Sequence, residues 1–272
     1  MWYSDPAYRF LDVGGTYIKC SGGRQVPISS DGSREVIAAA LRQAIGDVRG
    51  LKGVGVAVPG PFDFEKGIFR MEHKFAAVKG VSFRELVSIP ESVPLKFGHD
   101  VNTLLDGAVR MRALRHINTA LVTLGTGLGF SYALHGKVQC NEAGSPARSL
   151  WNLPWKDGIL EDAVSARGIR IAYARKTGDG TQSAYSIALK AREGDPIARD
   201  VYNQVGKLLG EALQGIVREL DIRMILFGGQ IAKSLDLMME PLRNALPGIE
   251  LQNVPEKAIF EGLAGLFENK NE

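Results

Sequence analysis

Cysteine is scarce in this chain of 272 residues: Cys20 and Cys140 are the only two, and neither belongs to a C-x-x-C pair. At most one disulfide is therefore possible, and a cysteine-built redox or zinc centre of the usual spacing is excluded; both residues are expected to be buried thiols. No apolar run is long enough to span a bilayer. Met1-Trp2-Tyr3-Ser4-Asp5-Pro6 lacks the basic start and apolar stretch of a secretory signal, so the expectation is a cytoplasmic protein without membrane contact. Charge of one sign is also in short supply, with a net charge of only +3 and scattered basic residues. The densest basic stretch, Arg110-Met111-Arg112-Ala113-Leu114-Arg115, reads as the wet face and C-terminal end of a helix, and no nucleic-acid partner is expected. Two familiar glycine signatures are missing as well. The G-x-x-x-x-G-K-[ST] spacing of a P-loop does not occur, and the first glycine pair joins two strands instead of opening a helix, unlike a dinucleotide fingerprint.

What is present is 45% hydrophobic residues, enough to bury one large domain or two modest ones, and 32 glycines clustered at strand ends. The pattern reads as a strand Arg9 to Val13, a turn, extended segments Thr16 to Cys20 and Arg24 to Pro27, a helix Ser33 to Ile45, and a buried strand Gly53 to Val58 closed by Pro59-Gly60-Pro61. A strand Leu95 to Gly98 then runs into His99-Asp100 and a helix Val101 to Leu114. A second unit opens with strand Thr119 to Leu124, turn Gly125-Thr126-Gly127 and strand Leu128 to His135, followed by a hairpin at Gly136-Lys137. Helices dominate from Gly158 to Leu220. Strand Ile222 to Phe227, a helical stretch Ile231 to Leu246, a short strand at Leu251 and a last helix Lys257 to Phe267 complete the chain. The alternation indicates a layered α/β fold, and the two glycine-punctuated strand pairs suggest two related lobes.

Phosphate chemistry is the physical use of such turns. After the strand ending at Asp12, Gly14, Gly15 and Thr16 allow backbone N–H groups to approach phosphate oxygens, with Lys19 close by, while Asp12 can hold Mg²⁺ through its water shell. The alternative is a tight hairpin with Asp12 as a local cap. Gly125, Thr126 and Gly127 form a second such turn, and Gly228-Gly229 ends a buried strand where adenosine can lie against backbone; simple turns are the rival in both places. Asp100, at a strand-to-helix junction, is the candidate catalytic carboxylate, with helix capping as its rival.

The ordered set Asp12-Val13-Gly14-Gly15-Thr16, Gly55 to Pro61, Asp100-Val101-Asn102, Leu124 to Gly129, Asn141-Glu142-Ala143-Gly144, Leu160-Glu161 and Gly228-Gly229 resembles the ROK family of the sugar kinase, Hsp70 and actin superfamily. The resemblance implies two RNase-H-like lobes with an interlobe cleft: residues 1–115, completed by a C-terminal helix at about 255–272, and residues 116–254. It further implies ATP with Mg²⁺, a sugar substrate and a homodimer. Asp100 resembles the general base, Asp12 the metal-water organiser, and Gly60, Pro61, Glu142 and Glu161 the sugar pocket. His99 stands where the family often has Asn and Ser145 where it has His. Ser149 to Trp155 replaces the family's zinc-binding cysteines, so no zinc is expected; Trp151 and Trp155 are expected to supply apolar packing in its place, with a solvent-facing aromatic contact to a ligand as the alternative. These features favour an ATP-dependent kinase acting on a hexose or an N-acetylated amino sugar. The alternatives are a non-catalytic sugar or nucleotide sensor, or a kinase for another polyol.

Overall fold

The computed structural model describes residues 4–268, so the expectations for Met1 to Tyr3 and for helix beyond 268 lie outside the described residues. The chain divides into two compact units, one of residues 1–113, 139–146 and 255–272 and the other of residues 114–138 and 147–254. Residues 139–146, assigned to the second lobe by sequence, thus group with the first unit.

The first unit is built on an antiparallel meander of β1 (Tyr8–Val13), β2 (Tyr17–Cys20) and β3 (Gln25–Pro27). In β2 exposed and buried residues alternate, so Ile18 and Cys20 face the core while Lys19 stays on the open face, directly across from Asp12 in the register. Helix α1 (Arg34–Ile45) starts at Ser33, whose hydroxyl accepts the Val36 N–H, and buries Ile37, Leu41 and Ala44. β4 (Gly53–Val58) is buried along its whole length, as its unbroken apolar sequence requires of a strand covered on both faces, and lies parallel to β1. A small hairpin, β5 (Phe62–Asp63) and β6 (Ile68–Phe69), and helix α2 (Phe83–Val87) precede β7 (Leu95–His99), which runs into α3 (Asp100–Met111) with no intervening loop. Phe62, Phe69, Phe75, Phe83 and Phe97 form a chain of ring contacts at 5.1 to 5.6 Å that anchors the whole 60–83 excursion. The sheet order is β3-β2-β1-β4-β7.

The second unit repeats this order. β8 (Thr119–Leu124), β9 (Leu128–Leu134) and β10 (Lys137–Val138) form the meander, and β13 (Met224–Gly228) and β14 (Glu250–Asn253) add parallel strands, giving β10-β9-β8-β13-β14. Between them lie the two-stranded β11 (Pro154–Trp155) and β12 (Gly158–Ile159), and helices α4 (Leu160–Val164), α5 (Ala166–Thr177), α6 (Ala184–Glu193) and α7 (Pro196–Glu219). The Asp195 carboxylate caps α7, accepting the N–H groups of Ile197 and Ala198 at 2.8 and 3.0 Å. Tyr202, Leu209 and Leu213 of α7 pack with Phe130, Ile169 and Phe227 in one core.

The expected continuous helix from Ile231 to Leu246 is instead a 3₁₀ segment, Ile231–Leu237, followed by α8 (Met239–Ala245). The break is at Ser234, whose φ/ψ of −109°/28° departs from a helix. Cys140 also departs from expectation: Cys20 is buried, but Cys140 is exposed, in the loop that follows β10.

Helix α9 (Ala258–Gly265) returns to the first unit and lies on α3. The approach is so close that a Cβ at Gly107 would sit 1.7 Å from the Ala258 carbonyl oxygen, and one at Gly262 2.0 Å from that of Thr103. Glycine is required at both positions by contact between the helices. Arg110 finishes the joint, pairing with Asp106 and Glu268 at 2.6 Å each.

Candidate active site

In the first turn, the Gly14 N–H donates to the Tyr17 carbonyl at 3.0 Å, and a Cβ at Gly14 would stand 2.9 Å from that same oxygen. The carbonyls of Thr16 and Gly15 accept the N–H groups of Ile28 and Ser30 at 2.9 and 3.2 Å, which fixes the turn against the following loop, while the Thr16 side chain is left exposed. Asp12 sits at the base of the turn, its Oδ2 accepting from Lys19 Nζ at 3.0 Å. Burial pushes the Asp12 carboxyl above its ordinary range despite Lys19, and the negative charge of Asp100 adds to the rise.

Asp100 opens α3 directly from the end of β7, so its side chain is carried by a strand-to-helix joint. Its Oδ1 accepts the Val101 N–H at 2.8 Å, and His99 Nδ1 lies 2.9 Å from the same oxygen. His99 Nδ1 is buried yet makes no well-aligned hydrogen bond. For Asp100, burial acts upward, but His99, the Val101 N–H and the Lys74 charge together outweigh it and hold the carboxyl below its usual range. Asp12 and Asp100 are therefore pulled in opposite directions.

The other edge of His99 faces the Gly60–Pro61 segment, whose peptide is cis. A Cβ at Gly60 would lie 3.3 Å from His99 Nε2 and 3.4 Å from Ser145 Oγ, and the Phe64 ring stands 5.9 Å from the imidazole. The loop carrying Glu142 is self-bonded: Asn141 Oδ1 accepts the N–H groups of Ala143 and Ser145 at 3.0 Å each. Asn102 Nδ2 ties that loop to α3, donating to the Gly144 carbonyl and to Cys140 Sγ at 3.2 Å each. Glu142 itself is exposed. Within the first unit, then, Asp12, Lys19, Asp100, His99, Gly60 and Ser145 are brought together. Phe64, Asn102, Ser30 and Lys74 accompany them without having been singled out by sequence. Asn102 stood inside a motif but lacked a role, and the other three occur in segments without periodicity.

In the second unit the Gly125 N–H donates to the Gly127 carbonyl at 3.0 Å, the Gly125 carbonyl accepts the Ala166 N–H at 2.9 Å, and Thr126 is exposed. Glu161 underpins this turn: its Oε2 accepts the Leu128 N–H at 2.8 Å, and a Cβ at Gly127 would meet the same oxygen at 2.8 Å. Gly228 ends β13, and Gly229 has φ of 87° with the Leu124 carbonyl 2.2 Å from where its Cβ would be, so backbone packing alone demands glycine there. Trp155 packs on the core, whereas Trp151 is 47% exposed and the fully buried residue of this stretch is Leu150. Of the two readings of Trp151, the packing role falls to its neighbour Leu150, and the exposed ring is compatible with the solvent-facing alternative.

Among the described residues no group of three His, Cys, Asp or Glu side chains is arranged to hold a metal ion. Mg²⁺ needs less from a protein, one or two carboxylates with phosphates and water completing its shell, and the partly exposed carboxylate of Asp12 beside the open turn suits that hard-oxygen demand.

The model of the ROK family matches residues 11–147 and 156–264. The chain belongs to the ROK family. The unmatched gap between those spans holds the Trp151 and Trp155 stretch in which this ROK chain has no cysteine. It is 25% identical to a glucokinase of Streptomyces coelicolor over 189 residues, 60% of this chain and 59% of that enzyme, so the match spans less than two thirds of that relative. A glucokinase of Halalkalibacterium halodurans is 24% identical over 304 aligned positions, covering 94% of this chain and 90% of that one. A ROK family glucokinase from Streptomyces griseus, solved in complex with glucose and AMPPNP, shares the fold at a TM-score of 0.74 and 22% identity, covering 94% of this chain and 97% of the other.

Proposed function

We propose that this ROK chain is an ATP-dependent carbohydrate kinase that phosphorylates a hydroxyl of a hexose or an N-acetylated amino sugar, with Asp100 as general base. The observation that carries the reading is the placement of Asp100: a carboxylate on a strand-to-helix joint, met by the Val101 N–H at 2.8 Å and His99 Nδ1 at 2.9 Å, in the same unit as the glycine turn that begins after Asp12. A sugar hydroxyl is a poor nucleophile and must lose its proton as the new P–O bond forms. An ionised carboxylate within hydrogen-bond reach of that oxygen takes the proton at Asp100 Oδ.

The remaining roles follow from what each group offers. Gly14, Gly15 and Thr16 present the first turn's backbone to phosphate oxygens, and Gly125, Thr126 and Gly127 do the same in the second. Gly228 and Gly229 are the backbone contact proposed for adenosine, with glycine at 229 already required by the Leu124 carbonyl. Asp12 would hold Mg²⁺ through water, and the ion when bound neutralises phosphate charge. Lys19, already committed to Asp12, keeps that carboxylate oriented. His99, whose Nε2 edge faces Gly60, and Glu142, in the loop tied to α3, hydrogen-bond neighbouring sugar hydroxyls beside Gly60 and Pro61. Glu161 spends one oxygen on the second turn and offers the other to substrate. A cytoplasmic homodimer completes the proposal; no helix among the described residues is long and apolar enough to cross a membrane.

The test is an ADP-release screen over a broad panel of sugars and polyols, with the phosphorylated product identified. Sugar-dependent ADP and a matching sugar phosphate support the kinase. Tight sugar or nucleotide binding without product would replace it with a sensor.

A further inference from the structure

One cation beside the first turn has no role in the scheme above. Lys74 lies in the 60–83 excursion, and its Cε comes within 3.9 Å of where a Cβ on Gly15 would be. Its placement is not loose. The next residue, Phe75, is fully buried, adopts φ of 55° and ψ of 25° in the left-handed region, and packs its ring on Phe69 at 5.6 Å. A non-glycine residue keeps such a backbone only where its surroundings over-determine it. They do so here through Ser30, whose carbonyl accepts the Phe75 N–H at 2.7 Å and whose N–H donates to the Gly15 carbonyl at 3.2 Å. Turn, Ser30 and Phe75 are thus joined by backbone hydrogen bonds, and Lys74 is fixed over the turn as a consequence.

The same side chain is unspent. Among the described residues Lys74 has no ion pair and no hydrogen bond, unlike Lys19, which is bound to Asp12, and Lys79 of the same excursion, which is paired with Glu72. The Ser30 hydroxyl, on a residue only 8% exposed, stands 3.4 Å from the same Gly15 Cβ position, so a hydroxyl and the end of the Lys74 stem flank one face of the turn. The field of Lys74 also reaches Asp100. A partly buried, unpaired ammonium next to backbone shaped for phosphate lacks only an anion.

We infer that Lys74 is a phosphoryl-binding catalytic residue, which pairs with the terminal phosphate of the nucleotide at the Gly15 turn and stabilises the charge that develops there during transfer. The inference rests on the kinase reading for its catalytic half and on geometry alone for its binding half. During transfer the donor oxygen keeps the electron pair of the breaking P–O bond, the sugar oxygen forms the new bond, and its proton goes to Asp100. Negative charge shared among the three non-bridging oxygens is met by the Lys74 ammonium, and fixed donors of this kind are typically worth about 10²- to 10³-fold in turnover.

The experiment compares the wild type with Lys74→Met, Lys74→Arg and, as a charge-matched control in the same excursion, Lys79→Met. Affinities for AMP-PNP and for AMP are measured by calorimetry, and kcat is measured with the sugar found in the screen. Lys74→Met is expected to weaken AMP-PNP by about tenfold or more, leave AMP within twofold and lower kcat by about 10²- to 10³-fold. Lys74→Arg should recover at least a tenth of the wild-type values, and Lys79→Met should resemble wild type. Equal losses for AMP-PNP and AMP, or a Lys74→Met kcat within threefold of wild type, would overturn the inference. If the wild type makes no sugar phosphate, the kinase reading falls, and the AMP-PNP against AMP comparison still decides whether Lys74 binds the terminal phosphate.

Discussion

The two units of this chain share a sheet order and differ in what they mount on it. Each has a meander whose first strand also pairs in parallel with a strand from later in the chain, and each places a glycine turn between its first two strands. In the first, the penultimate residue before the turn is Asp12, facing Lys19; in the second the corresponding pair is Thr123 and Gly129. The first turn is surrounded by titratable groups, Asp12, Lys19, Lys74, His99 and Asp100. The second is held by backbone bonds and by one carboxylate, Glu161, whose Oε2 accepts the Leu128 N–H while its other oxygen is the one proposed for substrate. A common scaffold thus carries reactive side chains in one copy and shaped backbone in the other.

The largest expected effect breaks the first copy's chemistry. Asp100→Asn keeps shape and the bond to the Val101 N–H but removes basicity, so turnover should fall by about 10²- to 10⁴-fold while sugar and nucleotide affinities, read by calorimetry, stay within a few-fold. A substitution in the joint beneath it should act on stability. Gly107→Ala forces a Cβ into the Ala258 carbonyl, and overpacking of this kind costs about 1 to 3 kcal/mol, measurable as a lower denaturant midpoint. The smallest effect belongs to the second copy. Glu161→Gln weakens a charge-assisted bond to the Leu128 N–H without emptying the site, and should cost about 1 kcal/mol in unfolding free energy. A Glu161→Gln turnover loss as large as that of Asp100→Asn would erase the distinction between the copies.

Much of the scaffold is legible in the sequence because its strands announce themselves. β4 is an uninterrupted apolar run ended by Pro59-Gly60, β8 is a β-branched and apolar run ended by Gly125, and their limits, Gly53–Val58 and Thr119–Leu124, are those read from sequence. The helical stretch Ile231 to Leu246 misleads because apolar spacing does not reveal the turn at Ser234. Cys140 is read as buried from residue type, although it stands on a loop, where burial is set by tertiary contacts. The candidate residues on strand ends, Asp12 and Asp100, are visible because each sits at a change of periodicity. Lys74, Ser30 and Phe64 are not, since only the ring contacts and backbone bonds of the 60–83 excursion bring them to the turn. Glu161 was recognised, but its bond to Leu128 joins residues 33 apart and has no local sequence signal.

The account turns on two carboxylates whose surroundings separate them, and the pH dependence of the proposed kinase activity of the wild-type protein reads both. Each must be ionised to act, so each produces an acidic limb. Asp12, raised above its ordinary range, should govern kcat/KM for ATP, because its proposed role is to gather nucleotide and metal. Asp100, lowered below 3.8, should govern kcat once both substrates are bound, and its limb should lie at the lower pH. Rates are taken in brief assays, with fluorescence confirming that the protein remains folded at each pH. The expected result is a kcat limb lying at lower pH than the kcat/KM limb, and absent from the residual activity of Asp100→Asn. A kcat limb lying above the kcat/KM limb, or one centred near pH 6 to 7 as a histidine would give, would contradict Asp100 as the ionised base.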